Sequence, residues 1–232
     1  MLLAIQKNIR ALGSTERALH SLRFFKTGKG QYGHGDEFLG LSVPQCRAIV
    51  REYRICSQQD LVTLFHSPKH EERLVALLII TDQYHRAAPK EKERIYNFYL
   101  RSTSRINNWD LVDCSAYKIV GVHLLNRPRG ILRTLARSKS LWERRIAIVA
   151  TFKFISEGQL NTTLEIATLL LRDTHDLIHK AVGWMLREVG KRDGAALRKF
   201  LDQHASIMPR TMLRYAIERL TVTQRQHYLQ KH

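Results

Sequence analysis

A short pattern returns along this chain at steps in the mid-thirties, and it limits the fold more than any other feature. Polar, apolar and small residues recur in phase at Glu72-Arg73-Leu74-Val75-Ala76, Arg144-Arg145-Ile146-Ala147, His179-Lys180-Ala181-Val182 and Leu213-Arg214-Tyr215-Ala216. Arg145 and Lys180 are 35 residues apart, and Lys180 and Arg214 are 34 apart. Apolar residues between these points recur at helical spacing, and strand-like alternation between turn pairs is absent. A period of this length, with two helices per unit, predicts an all-α chain built as a helical solenoid. One pair cannot bury its own apolar face, so neighbouring pairs stack and the stack curves. The expected organisation is one helical-repeat domain over residues 1–232, with equivalent positions of the inner helices lining a basic concave face.

The start and stop signals fit that reading. Helices are predicted from Thr15 to Lys26, from Pro44 to about Arg54, and from a Ser57 cap to about His66. A further helix opens at Ser67-Pro68 and carries the apolar run Leu74–Ile80, and another runs from Pro89 to about Leu100. Asn107 or Asn108 caps a helix holding Trp109 and Asp113. Ser140 with Glu143 reads as a capping box opening a helix to Ile155. Later helices are expected over Thr162–Leu171, His175–Val189, Ala195–Gln203 and Arg210–Leu220. A Gly-rich loop spans Thr27–Gly40.

Charge narrows the partner. Lys and Arg outnumber Asp and Glu by 38 to 21, a net +17 in 232 residues. Such an excess points to a nucleic-acid backbone or an anionic membrane, the plain alternative being a basic protein with no polyanionic partner. No stretch approaches the length of a membrane span, and Met1–Ala11, with Lys7 and Arg10, is no secretory signal. Three cysteines, Cys46, Cys56 and Cys114, at spacings that fit no zinc pattern, suggest reduced thiols and a cytoplasmic protein.

One member of the repeating column is an acid. Between Arg73 and Arg145 the corresponding place is taken by Asp113, one helical turn after Trp109, so the two share a face. Trp142 and Trp184 also lie within about a turn of the column. Core packing is the ordinary role of a helical tryptophan and fits Trp142 well. It fits Trp109 less well, among Asn107, Asn108 and Asp110. Asp110 suits the first turn, where the helix dipole favours an acid. For Asp113 a carboxylate site and a salt bridge to Arg145 both remain open.

Gly28-Lys29-Gly30-Gln31-Tyr32-Gly33 has the G-x-G-x-x-G spacing, but a helix rather than a strand precedes it, so no dinucleotide site is expected. His66 with His70, and His175 with His179, are spaced i, i+4 without the Glu of H-E-x-x-H, and neither a metal nor a cofactor is expected.

Three segments resemble the AlkD-type DNA alkylation-repair glycosylases: Asn108–Asp113, Leu141–Ala147 and His179–Glu188. The run Phe38-Leu39-Gly40-Leu41-Ser42-Val43-Pro44, followed by Arg47, resembles that family's early Phe-Leu-Gly segment. The similarity runs from about Arg23 to Val189. The resemblance implies a HEAT-like solenoid of antiparallel helix pairs that excises N3- and N7-alkylated purines from duplex DNA without flipping the base into a pocket. It implies Asp113 as the catalytic acid, Trp109 and Trp184 as aromatic walls of the lesion site, and Arg145 as the essential arginine, with Arg187 a further basic position. Lys180 and Arg214 join them as expected DNA contacts from the repeat column. The family has a tyrosine shortly before its Phe-Leu-Gly segment, and Tyr32 is the nearest here. Some relatives lack the aromatic and acidic residues; this chain has both.

The chemistry is coherent. An alkylated purine already carries positive charge, and its departure leaves an oxocarbenium-like sugar. A carboxylate beside that sugar stabilises it, and aromatic faces attract the cationic nucleotide. The expected partner is double-stranded DNA containing alkylated bases, bound by a monomer. Two alternatives differ from this enzyme: a non-catalytic helical-repeat DNA-binding protein, and a repeat scaffold for acidic proteins.

Overall fold

The computed structural model describes residues 1–231, and helices account for all its regular structure apart from one isolated bridge between Glu37 and Lys69. In chain order the helices are α1 (Leu2–Ala11), α2 (Thr15–Phe24), α3 (Val43–Glu52), α4 (Gln58–Phe65), α5 (His70–Arg86), α6 (Pro89–Arg101) and α7 (Trp109–Ala116). They continue as α8 (Gly130–Ala136), α9 (Leu141–Ala150), α10 (Phe152–Ser156), α11 (Asn161–Leu169), α12 (Asp176–Arg192), α13 (Gly194–His204), α14 (Arg210–Ala216) and α15 (Val222–Gln230). The chain is a solenoid-type helical fold with two compact units, Met1–Ser115 and the residues from Ala116 onward. No described helix is long and apolar enough to cross a membrane.

In the first unit α5 is the core. From Leu74 to Ile80 no residue is more than 8% exposed, as a helix that is apolar on every side requires. Helices α1, α3, α4 and α6 pack around it. Their ends follow the sequence signals: Ser57 accepts from the Asp60 amide, Pro44 lies in the first turn of α3, and Pro89 opens α6. In the second unit α9 has the same role, with Ile146 through Ala150 all at 0% exposure. It packs on α8 and α12, and α12 packs on α13 and α14. Gly183 allows the α14 approach, because a Cβ there would stand 2.5 Å from Tyr215 Cβ and 2.6 Å from the Met212 carbonyl oxygen.

Several features depart from the sequence expectation. The predicted helix over 140–155 is interrupted at Thr151, giving α9 and α10. Helix α7 runs directly into a π-helical stretch, Tyr117–Gly121, where Gly121 meets the Ala150 carbonyl and Lys153 so closely that a side chain has no room. Ser140 does precede α9, but its side chain makes no capping bond. Its amide, which the box would give to Glu143, donates instead to Ser138 Oγ at 3.0 Å. A capping box does form at Thr221 with Gln224, opening α15. Helices α1 and α8 carry no distinctive start signal in the sequence pattern.

The loop before α3 is fixed from α5. The Glu71 carboxylate accepts the amides of Leu39 (2.9 Å), Gly40 (2.7 Å) and Leu41 (3.3 Å). Gly40 has φ +81°, and a Cβ would lie 2.1 Å from the Ser14 carbonyl oxygen and 2.7 Å from the Ala18 nitrogen. Only glycine fits both the backbone angle and the space. Gly40→Ala is therefore expected to destabilise the protein by roughly 2–4 kcal/mol, read from urea unfolding. An unchanged midpoint would refute this account of the turn.

Candidate functional site

Trp109 is the first residue of α7, and Asp113 follows one turn later on the same helix, both half-buried. Asn108 is fully buried and opens the helix: its carbonyl accepts the Val112 amide (3.2 Å) and its Oδ1 the Trp109 amide (2.8 Å). Asn108 thus stands at the start of α7 with its side chain on the first helical amide, and the tryptophan it precedes is half-buried rather than in the core.

Trp109 stands against two aromatic side chains of the α2 end. Phe25 stacks on it, with centroids 5.4 Å apart at 26°, and Phe24 meets it edge-on at 5.8 Å and 70°. Phe24 is 56% exposed, unusual for its type beside another aromatic. Phe25 continues the stack onto Phe38 (5.0 Å, 12°) and His70 (5.2 Å). Phe25 lies within the helix predicted to Lys26, but α2 ends at Phe24 with none of its residues buried, and Phe25 follows it as the C-cap. The available signal is a Phe-Phe pair directly before a Gly-rich loop. That loop, with half-buried Tyr32, is a set of turns between α2 and α3, and no helix opens within its glycines.

Beneath the stack lies a buried polar chain. His70 Nε2 is 2.8 Å from Asp110 Oδ2, and its Nδ1 is 3.5 Å from Asp36 Oδ2. Arg73 donates to Asp36 Oδ1 at 2.6 Å, and Asn107 Nδ2 to the same oxygen at 3.3 Å. Burial opposes charge on His70, but the Asp110 and Asp36 carboxylates overcome it and push the imidazole up to about 9. Burial also opposes ionisation of Asp36, yet His70, Arg73 and Asn107 together hold it below the usual carboxylate range. Asp110 therefore does more than answer a helix dipole. It also accepts the Leu111 amide at 2.9 Å.

The repeat column needs one correction. Arg73 is not a surface cation: it is 2% exposed, and besides Asp36 it donates to the carbonyls of Ser67 and Pro68. Its structural counterpart is Arg144, which donates to the carbonyls of Ser138 and Lys139 and to Asp173 at 2.6 Å. In both, the guanidinium reaches back six and five residues and pairs with an aspartate. The column in register with Arg73 thus passes through Arg144, and Arg145 lies one position beyond it.

In the second unit Trp184 is half-buried on α12 and tilts against Phe152 (5.9 Å, 37°), which meets Tyr117 edge-on at 5.2 Å. Arg145 is 5% exposed and donates to the Leu177 carbonyl. Lys180 is 39% exposed and pairs with Asp176 at 2.7 Å. Arg187 is 19% exposed and pairs with Glu218, while Arg214 is exposed on α14. Trp142 is only half-buried, so core packing describes it incompletely.

Three of the four histidines in the i, i+4 pairs are engaged by the fold. His70 Nε2 bonds Asp110, His175 Nδ1 accepts the Leu177 amide (3.1 Å), and His179 Nε2 bonds the Asp173 carbonyl. Among the described residues no three His, Cys, Asp or Glu side chains converge as a metal site. None of the three cysteines is in a disulfide, and burial pushes the Cys46 thiol up to about 12 and Cys56 to about 11.

A family model described as DNA alkylation repair enzyme matches residues 5–220. Among solved structures the chain is similar to one described as a "predicted DNA alkylation repair enzyme" from Enterococcus faecalis. The two share 17% identity at a TM-score of 0.69, covering 90% of this chain and 97% of that one. No curated protein matches the chain.

Proposed function

We propose that this chain, which belongs to the DNA alkylation repair enzyme family, is a DNA glycosylase that excises N3- and N7-alkylated purines from duplex DNA. The observation that carries this reading is the Trp109–Asp113 pair: an aromatic face and a carboxylate one turn apart on α7, both reachable from solvent, in a chain of net charge +17. Duplex DNA supplies the polyanion that this charge suits. The lesion supplies a cation, and a cation is what a carboxylate beside an indole attracts.

In this mechanism the alkylated base leaves as a neutral purine with the glycosidic electron pair. The sugar becomes oxocarbenium-like, and Asp113 stabilises it and orients the water that adds to C1′. No acid is needed to protonate the base, since alkylation has already placed the charge there. Trp109 presents its ring to the cationic nucleotide, and Trp184 offers the DNA a second aromatic face. Lys180 and Arg214, the more accessible cations, contact phosphates. Arg145 and Arg187, more enclosed, contribute to the positive field.

The test is base release. Duplex DNA methylated at guanine N7 and adenine N3 is incubated with the protein beside untreated duplex, and the free bases are separated. Release of 7-methylguanine and 3-methyladenine, with none of normal purines, is the expected result. Salt-sensitive binding without release at any protein concentration would establish the non-catalytic DNA-binding alternative instead. Absence of DNA affinity would remove both.

A further inference from the structure

The starts of α5 and α7 meet at one histidine. His70 is 2% exposed, and no step of the proposed chemistry uses it. One ring nitrogen faces Asp110 in the first turn of α7, and the other faces Asp36 in the preceding loop. Its ring lies against Phe38 (4.7 Å, 24°) and against Phe25, which carries Trp109 on its other side. A single side chain therefore reaches α7 by two routes, through charge at Asp110 and through stacking at Trp109.

We propose that His70 is a positioning residue, fixing the first turn of α7 and the tilt of the Trp109 indole. The site uses both properties of a doubly protonated imidazole. One ring nitrogen bonds the Asp110 carboxylate at 2.8 Å while the other faces Asp36 at 3.5 Å, and its flat faces stack. The surrounding charges are consistent with this state. Asp110 from α7 and Asp36 from the loop favour the imidazolium, while Arg73 on α5 opposes it and is itself neutralised by Asp36. Any effect of His70 on catalysis rests on the glycosylase reading; its effect on Trp109 does not.

Two readouts separate these. The first is the indole N–H resonance of Trp109 in ¹H–¹⁵N spectra, assigned by its loss in Trp109→Phe. The second is single-turnover release of 7-methylguanine. His70→Phe keeps an aromatic ring but leaves Asp110 without its donor. It is expected to shift the Trp109 resonance and to lower the release rate about 10–100-fold, with DNA affinity changing by less than about threefold. His70→Gln, whose amide can donate to Asp110, is expected to recover part of both. An unmoved Trp109 resonance in folded His70→Phe would overturn the proposal. Should that variant fail to fold, Asp110→Asn decides it: a shifted resonance supports positioning and an unmoved one overturns it. If the wild-type chain releases no base, the glycosylase reading falls and the indole resonance alone settles the role of His70.

Discussion

Asp113→Asn is expected to slow release of 7-methylguanine from methylated duplex DNA about 10²–10³-fold while leaving DNA affinity nearly unchanged. The substitution removes charge and keeps shape, and at a half-buried helix position the amide is readily accommodated. The size follows from Coulomb's law. A unit charge about 4 Å from the forming sugar cation, at an effective dielectric near 20, is worth about 4 kcal/mol. That corresponds to about a thousandfold in rate. In the proposed reaction the same figure would account for selectivity: it would speed a bond already weakened by alkylation usefully, yet leave a normal nucleoside almost untouched. Single-turnover rates at saturating protein measure the loss directly. Unchanged release would remove Asp113 from the chemistry.

Arg73→Ala should destabilise the protein by about 3–5 kcal/mol, with little change in DNA binding per folded molecule. The guanidinium and the Asp36 carboxylate are 2% and 4% exposed, so the truncation strands a buried charge rather than trimming a surface pair. Two backbone carbonyls also lose their donor. Arg214→Ala is the contrasting case. Exposed on α14, it should alter stability by less than about 0.5 kcal/mol while lowering the salt slope of DNA binding by about one. Thermal melts and binding isotherms across salt concentrations check both. A stable Arg73→Ala protein with a reduced salt slope would restore Arg73 to the DNA-facing set.

The contrast shows which part of the molecule was legible in the sequence. Helix existence was plain wherever burial wrote a long apolar run, as in Leu74–Ile80, or where Pro or Ser marked a start, as at Ser57 and Pro89. The pairing of Trp109 with Asp113 was legible because both lie in one helix, where spacing alone sets the shared face. Long-range polar bonds were not. The meeting of His70 with Asp110 joins residues 40 apart, and that of Asp36 with Arg73 joins residues 37 apart; nothing in local spacing encodes either. The Ser140 box failed for a local reason, since Ser138, two residues before, takes the amide. The phase of the basic column slipped by one at Arg73 because Arg144 and Arg145 stand side by side, and a string of letters does not show which of them matches the arginine that bonds back to its own helix start. The π-helical stretch after α7 has no compositional signature and depends on how closely Gly121 meets α9 and α10.

The Glu71 carboxylate has a consequence for the order in which the first unit is assembled. It gathers three consecutive amides from a loop some thirty residues earlier in the chain. Until α5 is formed and docked, those amides have no protein partner, and closing that span costs chain entropy that local contacts do not repay. Residues Phe38 to Leu41 therefore take their places after the core helix rather than before it. Phe38 stacks on Phe25, which carries Trp109, so the aromatic stack is completed only once α5 holds this loop.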